Sequence, residues 1–456
     1  MTDDAVVQAF LEAALVPRSG GHAAGDLAAA DAIRAAHPDM PRASIHAAAA
    51  LGDAEAVQHW LATDGTLVGA RGGPYGWDPL THLCFSRYLA RDRSRVESFH
   101  HAAAMLLDAG ADPRSGFFED EHRPHPQWES LLYGAAGIAH DAAITRLLLS
   151  HGADPNDAEV PYHVPETYDL GALKVLVESG TLTADSLATM LVRKHDWHDL
   201  EGVRYLLAHG ADPNRDTTWG MTPFHQAVRR DNGLPIVELA LAYGADPTRV
   251  MAPHLASGLE GIDAIRIAAW RGRADVLDLF ARHGMPAPSD GVFGLLAAAT
   301  RGDDETVARL AAAEPEAADL ARSRAGELLG LAAGNGNVAA LRSWLEFGLP
   351  VDAVWSDGEG YFEVPRRSTA LHVASWRARH DAVRFLLDRG APVDATDGAG
   401  RTALVVAIRA CVASYWSDRR QTDSIAALIA AGADTSSIAL PSGYDEADRL
   451  IAAARG

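Results

Sequence analysis

An internal repeat is the feature that most constrains how this chain folds. Residues 209–228 read HGADPNRDTTWGMTPFHQAV, so the ending of one repeat, GADPN, is followed by the beginning of the next, TPFHQA. The same kind of ending recurs at Gly110, Gly152 and Gly244, and a related beginning, TALHVA, starts at Thr369. Repeats of this kind bury their apolar faces against their neighbours, so the chain is predicted to form an elongated helical solenoid.

The residues of this motif suit the ends of two helices. Thr222 is predicted to be an N-cap, because its side-chain oxygen accepts a hydrogen bond from a free N–H of the first turn. Pro223 fits the first helical position, which needs no N–H donor, and Phe224 and Ala227 follow at helical spacing on the core side. Gly210 is predicted to end the preceding helix with a positive φ that glycine adopts at little cost. Each repeat is therefore predicted to be a helix–turn–helix pair.

This pattern resembles the ankyrin repeat, whose signature is T-P-L-H-x-A followed by a second helix and G-A-D. The resemblance extends over about residues 42–440, and residues 369–374 are its best match in the C-terminal half. It implies an all-α, curved ankyrin-repeat solenoid of about eleven helix-turn-helix repeats, with hairpin fingers and terminal caps. The function of such a scaffold depends on the residues that individual repeats carry.

The chain is predicted to divide into three parts. Residues 1–41 form an N-terminal helical cap, residues 42–440 the solenoid, and residues 441–456 a C-terminal capping helix. Caps are expected because the end repeats of a solenoid need one polar face. Near residues 157–200 the repeats are degenerate, since the fourth is short and the fifth has no T-P-L-H sequence. Breaks in an otherwise consistent pattern tend to mark strain or function, so this stretch is a candidate region for a site.

Charge and cysteine content limit the partners and the compartment. The chain has 61 Asp and Glu against 40 Lys and Arg, a formal net charge of −21. Such a surface repels nucleic acid and anionic membranes, and it favours cationic or neutral ligands. Two cysteines in 456 residues are too few for a disulfide framework, and the sequence shows neither an apolar run of membrane-spanning length nor a signal peptide. We therefore expect a cytoplasmic protein with no nucleic-acid partner and no membrane span.

Expanded loops after the G-A-D-like endings are the clearest departures from the repeat. The long ones are residues 115–128, 157–167 and 352–367, and shorter ones lie at 70–77 and 215–219. In an ankyrin-like repeat this is the position of the hairpin finger beside the concave face. Insertions on one face usually mark the binding face. Because these fingers are rich in aromatic and acidic residues, the sequence predicts an acidic, aromatic-rich binding surface there.

Several residues on and beside these loops are candidates for ligand contact. Clustered rings in neighbouring repeats are typical of a binding surface, although such rings also pack finger against finger. His225 and His372 occupy the usual histidine position and are expected to bond neighbouring backbone. His82 lies one position further on, so the helical period turns it by about 100°. Two interpretations stay open for it, a ring that faces the groove and a structural ring that is paired inside the protein. The candidate binding residues are Trp77, His82, Phe118, Trp128, Tyr162, Trp197, Trp219, Arg229, Trp355 and Tyr361.

The sequence KHDWHD at residues 194–199 is the most compact cluster of titratable groups. His195, Asp196 and His198 are candidate catalytic residues, because imidazole titrates near neutral pH and a carboxylate can fix its tautomer. A structural interpretation of the cluster stays open beside the catalytic one. In it, Asp199 is the N-cap of the following helix, and His195 interacts with the C-terminal dipole of the preceding helix.

An acidic stretch in the first long loop raises the question of a metal. Glu119, Asp120, Glu121, His122 and His125 offer ligand types that transition metals accept. However, Pro124 and Pro126 keep the segment extended, and the spacing matches no zinc site. The sequence also lacks a glycine-rich phosphate loop between strand and helix and a nucleophile motif. We therefore predict no metal and no cofactor.

Two functional hypotheses remain, and the repeats with their fingers favour the first. In the first, the protein is a binding module that captures a protein, peptide or small-molecule ligand on its acidic, aromatic-rich concave face. In the second, it is an enzyme on the same scaffold that acts on a small neutral or cationic molecule by His/Asp acid–base catalysis. A deep pocket among the fingers would favour a small ligand, and an open groove would favour a protein.

Overall fold

A computed structural model of the protein describes residues 3–18, 27–252 and 261–456. The chain divides into two units, each with its own internal packing. Unit 1 comprises Met1–Pro223 with Ala242–Ala245, and unit 2 comprises Phe224–Leu241 with Asp246–Gly456. Within the described residues, no helix has the length and apolar character that crossing a bilayer requires.

Unit 1 is built from short helices that alternate with turns. Its α-helices are α1 (Asp4–Ala14), α2 (Ala28–Ala36), α3 (Ile45–Ala50), α4 (Ala54–Thr63), α5 (Pro79–Cys84), α6 (Arg87–Arg91), α7 (Val96–Asp108), α8 (Ala142–Ser150), α9 (Glu159–His163), α10 (Gly171–Glu178), α11 (Ala184–Asp196) and α12 (Leu200–Ala208). Short 3₁₀ turns occupy Met40–Arg42, Gly65–Gly69 and Arg93–Arg95, and a π-helical turn occupies Tyr133–Ile138.

The helices of unit 1 stack as pairs, which is the arrangement that the repeat predicts. The inner helices of neighbouring repeats contact each other, for example α3 with α5 and α9 with α11. The outer helices do the same, for example α4 with α7 and α8 with α10. Small residues allow this close stacking, since Ala47, Ala48, Ala49 and Ala50 on α3 are all fully buried. Burial of an apolar face against the neighbouring repeat is what stabilises each pair.

Unit 2 is also built from stacked helix pairs. Two of its helices, α13 and α14, each have one terminal residue, Pro223 and Ala242, that belongs to unit 1. Its helices are α13 (Pro223–Arg229), α14 (Leu234–Ala242), α15 (Ala264–Trp270), α16 (Ala274–Arg282), α17 (Gly291–Arg301), α18 (Asp304–Ala313), α19 (Pro315–Ser323), α20 (Ala325–Asn335), α21 (Val338–Glu346), α22 (Ala370–Trp376), α23 (His380–Asp388), α24 (Ala403–Ala413), α25 (Asp423–Ala430) and α26 (Asp445–Arg455). The inner helix α22 packs between α20 and α24, the outer helix α23 packs between α21 and α25, and α26 packs on α25.

Strands are few and lie at the bases of two fingers. β1 (Gly116–Phe118) and β2 (Trp128–Ser130) pair antiparallel. Both belong to the first finger, which comprises residues 115–128 and the last two residues of β2. β3 (Val354–Trp355) and β4 (Ser368–Thr369) pair antiparallel at the C-terminal finger, residues 352–367. The described part of the chain contains no further strand pair in a sheet. The prediction of an all-α solenoid with strands confined to finger hairpins is therefore confirmed.

The loop at residues 157–167 is not a hairpin, which corrects the sequence-based prediction. It contains α9, whose first turn is fixed by the Asp157 carboxylate, which accepts a hydrogen bond from the Val160 N–H at 2.8 Å. Val160 and Val164 lie one turn apart and are both buried, so the segment has an apolar face that a projecting finger would expose. α9 is therefore the inner helix of the fourth repeat, and Tyr162 lies on a helix.

Gly210, His225 and His372 have the structural roles that the repeat motif predicts for them. Gly210 has a φ of 94°, the left-handed conformation that ends a helix. Asp78 stands where the motif has its first threonine, and it caps α5, because its carboxylate accepts from the N–H of Thr81. His225 donates from Nε2 to a backbone carbonyl of the next repeat at 2.7 Å, and His372 does so at 3.0 Å. These bonds tie one repeat to the next, so both histidines are structural.

Candidate functional site

A cavity of about 790 Å³ lies on the finger side of unit 1. Its walls come from the first finger, from α9 with its preceding turn, from the first turns of α11 and from residues 218–219. These stretches include the degenerate repeats in which the sequence predicts a site. The cavity is partly open to solvent, so its volume can receive side chains of a partner protein as well as a small ligand.

Glu119 holds the tip of the first finger together. Its carboxylate accepts hydrogen bonds from the backbone N–H groups of Glu121, His122 and Gln127, the last at 2.7 Å. Burial opposes the ionisation of Glu119, but these donors outweigh it and lower its pKa to about 2. The carboxylate is therefore ionised at neutral pH and bound by its own loop. Glu119, Glu121 and His122 also bring ligand atoms within 4.8 Å of one another, and the absence of a metal stays a prediction.

The aromatic residues of the first finger divide between its two faces. Phe117 is buried and stacks on Trp77, with ring centroids 4.3 Å apart and planes at 22°. Trp77 is 2% exposed, so it supports the finger from the core. On the other face, Phe118 and Trp128 are exposed and meet edge to face at 4.9 Å. Phe118 and Trp128 are therefore open to a partner, whereas Trp77 is not.

Glu129 is a buried acid in the wall of the cavity. It lies on β2 opposite Phe117, and 2% of the residue is exposed. Among the described residues, its Oε2 atom has no hydrogen-bond partner. Burial, reinforced by the charge of Glu159, raises the pKa of Glu129 to about 8. The group is therefore largely protonated at neutral pH.

His163 on α9 is held in its charged form. Its two ring nitrogens donate to Glu159 at 3.1 Å and to Glu166 at 2.9 Å. Burial by itself lowers the pKa of a histidine, but these carboxylates outweigh it and raise the pKa of His163 to about 9. Glu166 in turn accepts from Arg193, whose guanidinium also contacts Asp196. This chain of ion pairs fixes α9 and leaves the cavity wall acidic.

The charges of the cavity wall are unbalanced. Its acidic lining residues are Glu119, Glu121, Glu129, Asp157, Glu159 and Asp185, and its basic lining residues are Arg18, His122 and His163. Arg18 is already engaged, since its guanidinium donates to the Phe118 backbone oxygen at 2.8 Å and contacts Asp120 at 3.4 Å. The excess of carboxyl groups favours a cationic ligand.

Two half-buried aromatic side chains, Tyr162 and Trp219, complete the lining. Their ring centroids are 6.1 Å apart. The Arg193 guanidinium covers one face of Tyr162, with its carbon 4.1 Å from the ring centroid. Trp219 lies on the loop at residues 215–219, so two candidate binding residues from separate repeats meet in one cavity.

His82 lies in the core, which corrects its assignment as a candidate binding residue that faces a groove. The residue is 0% exposed, and its Nδ1 donates to the Asp78 backbone oxygen at 2.9 Å. Because His82 lies one position beyond the usual histidine of the motif, its ring points towards His46 and Trp77, with centroid distances of 4.9 and 5.7 Å. Burial, reinforced by His46, lowers the pKa of His82 to about 3, so the ring is neutral at physiological pH. Its contacts are those of a packing residue between the first two repeats.

The candidate catalytic cluster lies at the turn between α11 and α12. His195 is fully buried in the last turn of α11. The Asp196 carboxylate accepts from the Arg193 guanidinium, and His198 occupies the turn with a φ of 51°. In the described part of the chain, these three candidates do not line the cavity. The structure therefore brings them together with one another but not with the aromatic candidates around Trp219.

Asp199 and Lys194 fix the same turn. The Asp199 carboxylate accepts from the Gly202 N–H at 2.9 Å and from the fully buried Lys194 ammonium at 2.7 Å. Asp199 is thus the N-cap that the structural interpretation predicts for α12. Trp197 is half-buried and packs against Tyr168, whose hydroxyl donates to the Trp197 backbone oxygen at 3.0 Å. These contacts are those of a structural turn.

The remaining candidates lie in unit 2. Trp355 is 8% exposed and packs with Phe362 in an apolar cluster. Tyr361 is half-buried, and the Arg230 guanidinium carbon lies 3.6 Å from its ring centroid. Arg229 is half-buried at the end of α13. For Trp355 and Tyr361, the contacts correspond to the alternative interpretation, in which finger aromatics pack within the protein.

Glu129, Glu159 and His163 line the cavity but are not among the sequence-based candidates. Glu159 and His163 are four residues apart, a spacing that forms an ion pair on a helix. The signal is readable once residues 157–167 are assigned as helical. Glu129 follows the exposed Trp128 on β2, and successive side chains of a strand point to opposite faces, so an acid next to an exposed aromatic residue indicates a buried carboxyl group.

One family model matches parts of the chain, and two known proteins are similar to it. The chain matches the family model described as ankyrin repeats (many copies) over residues 200–252 and 345–407. It is similar to the 2-5A-dependent ribonuclease of Mus musculus, with 38% identity over 91 residues, which is 19% of this chain and 11% of that protein. Among solved structures it is similar to the crystal structure of the human ASB11 ankyrin repeat domain, with 19% identity and a TM-score of 0.25, covering 60% of this chain and 98% of that one.

Proposed function

The chain is an ankyrin repeat protein, and from this premise we propose that unit 1 binds a basic segment of a protein partner in its acidic cavity. Ankyrin repeats indicate a protein-interaction module. The proposed contact surface combines the first finger, α9 and the loop at residues 215–219. We take this surface to be the acidic, aromatic-rich concave face that the sequence predicts.

The charge of the cavity is the observation that carries the proposal. A cavity of about 790 Å³ admits one or two partner side chains, and its excess of carboxyl groups selects Lys or Arg. Phe118 and Trp128 are exposed on the same finger and offer apolar contact area beside it. The net charge of −21 attracts basic partners over longer distances.

The arrangement supports binding more than catalysis. The candidate acid–base residues His195, Asp196 and His198 lie at a turn outside the described lining of the cavity. His198→Gln is therefore expected to leave binding unchanged, and Asp196→Asn to leave it nearly unchanged, because Arg193 keeps its bond to Glu166. Cys84 and Cys411 are buried free thiols, which suits the reducing cytoplasm that we propose as the compartment.

Fluorescence anisotropy with a labelled peptide of six arginines tests the proposal. The parent protein is expected to bind this peptide with an affinity that falls steeply as the salt concentration rises. It is expected not to bind a peptide of six glutamates. Trp219→Ala and Glu121→Gln are each expected to weaken binding by about tenfold, because both side chains line the cavity.

Glu55→Gln is the matched control for these variants. Glu55 is exposed on α4 and lies outside the cavity lining, so this change removes one acidic charge without touching the site. The comparison separates binding in the cavity from general attraction to an acidic protein. Equal affinity for the two peptides, or parent-like binding by both cavity variants, would overturn the proposal.

A further inference from the structure

We propose that Glu129 forms an ion pair with one Lys or Arg side chain of the partner, and that Glu129 releases its proton when this cation binds. The inference rests on the proposed function, because it concerns the group that the same cavity offers to a basic segment. Beyond the proposed function, it identifies the residue that anchors the partner and predicts that binding releases one proton to the solvent. The exchange balances, since a neutral acid and a cation become an ion pair and one free proton.

The position of Glu129 is the first observation behind this assignment. The residue is 2% exposed, yet it belongs to the cavity wall, and its Oε2 atom has no hydrogen-bond partner among the described residues. Buried polar atoms in native proteins are nearly always paired. An unpaired carboxyl oxygen in the wall of an acidic cavity therefore points to a cationic group that pairs with it.

Other carboxyl groups of the wall already have partners within the protein. Glu119 accepts from three backbone N–H groups of its own finger. Glu159 accepts from His163 at 3.1 Å, and Asp185 accepts from Arg215 at 2.6 Å. A cation that paired with one of these would compete with an existing bond, whereas Glu129 offers an unused oxygen.

The groups that surround Glu129 explain why it is protonated before the cation arrives. Glu119 faces it from the finger, and Asp157, Glu159 and His163 face it from α9 and the preceding turn. The Tyr133 hydroxyl lies near it on the π-helical turn. His163 is positive, but the carboxylates outweigh it, so a further negative charge on Glu129 is unfavourable. A guanidinium or ammonium group in the cavity reverses that balance and favours the carboxylate.

An arginine peptide is the suitable probe, because its side chains keep their charge at all relevant pH values. Burial and Glu159 raise the pKa of Glu129 to about 8, so its ionised fraction in the free protein falls about tenfold for each unit of pH below that value. The affinity for a six-arginine peptide is therefore expected to rise about fifty-fold from pH 6 to pH 8. His163, with a pKa of about 9, stays charged across this range.

Glu129→Gln is the decisive variant, since its amide resembles the protonated acid and is expected to fold as the parent does. Its affinity at pH 8 is expected to fall by more than about tenfold, and its pH dependence between pH 6 and pH 8 to disappear. Isothermal titration at pH 7 in two buffers of different ionisation enthalpy is expected to show close to one proton released per peptide by the parent. Glu55→Gln is the control that should keep the parent's pH dependence.

The outcomes separate this inference from the proposed function. Peptide binding by Glu129→Gln with the parent's affinity and pH dependence overturns the inference and leaves the proposed function standing. Failure of the parent to bind the peptide at pH 8 overturns both. If Glu129→Gln melts well below the parent, the proton count on the parent decides, and a count of zero overturns the inference. Tighter binding of spermine than of the peptide overturns the assignment of a protein as the source of the cation.

Discussion

Asp231 lies at the centre of a buried ion network in unit 2, and replacing it by Asn is expected to destabilise that unit. The Asp231 side chain is fully buried and accepts from Arg271 at 2.6 and 2.8 Å and from Arg377 at 2.8 Å. A second acid, Glu359, contacts Arg271 at 3.3 Å. Both guanidinium groups are themselves buried. Removal of the Asp231 charge therefore leaves two buried cations with one more distant counter-charge.

The size of the effect follows from this geometry. Breaking a buried ion pair by removing one partner costs about 3–5 kcal/mol. The amide oxygen of Asn keeps part of the hydrogen bonding and Glu359 offsets part of the charge, so Asp231→Asn is expected near the lower limit. Arg377→Met is expected to cost less, because the Nε and Nη2 atoms of Arg377 have no hydrogen-bond partner among the described residues.

Urea unfolding at pH 7, followed by circular dichroism and tryptophan fluorescence, measures these free energies. Asp381→Asn is the matched control, since Asp381 is 84% exposed in its ion pair with Arg384. Such a surface pair contributes at most about 1 kcal/mol. A cost for Asp231→Asn that is no larger than the cost of the control would refute the reasoning.

The pH dependence of this network has a defined sign. Burial raises the pKa of Asp231, but Arg271 and Arg377 outweigh it and hold that pKa far below its usual range. An acid with a lowered pKa contributes stability above the pKa of the unfolded chain, about 4, and this contribution is lost as the pH falls further. The difference in unfolding free energy between the parent and Asp231→Asn is therefore expected to shrink from about pH 5 to pH 2.

Other perturbations test core packing, protonation and metal content. Leu386→Ala is expected to cost about 2–5 kcal/mol in urea unfolding, because Leu386 is fully buried, and a cost equal to that of the half-buried Leu387→Ala would contradict this. The raised pKa of His163 means that its contribution to stability is complete below about pH 6.5 and is lost as the pH rises through about 9. The stability lost in His163→Gln, about 1–3 kcal/mol, should shrink over that range, and a difference that grows above pH 9 would argue against the ion pairs. A chelator is expected to leave the melting temperature unchanged, and stoichiometric zinc after dialysis would contradict the prediction of no metal.

The repeat fold is readable from the sequence because its signals are local. Asp78 and Asp199 each cap a helix by accepting from the backbone N–H three residues further on, and Gly210 ends a helix through its own φ. His225 and His372 reach across repeats, but their partners are backbone carbonyls at a fixed offset in the motif. Each of these interactions is determined by a few neighbouring residues, so a single sequence suffices to predict them.

The cavity was harder to predict because its wall joins residues far apart in the chain. Glu129 on the first finger is perturbed by Glu159 on α9, and Arg18 reaches the same finger from the N-terminal region. Its position after a G-A-D ending predicts a finger for residues 157–167, whereas the burial of Val160 and Val164 in the folded protein favours a helix. The register of His82 is readable from the sequence, but the packing of its ring against His46 and Trp77 is not. Burial, in each case, depends on contacts that local spacing does not report.

Photo-crosslinking tests the central claim, that unit 1 binds a basic partner in its acidic cavity, most directly. A six-arginine peptide with a photoreactive end group is irradiated with the parent protein, and the cross-linked residues are mapped by mass spectrometry. We expect cross-links on the first finger, on α9 and at Trp219, with loss of these products in excess unlabelled peptide. Cross-links that map instead to the C-terminal finger at residues 352–367, or that scatter over the acidic surface, would contradict the assignment.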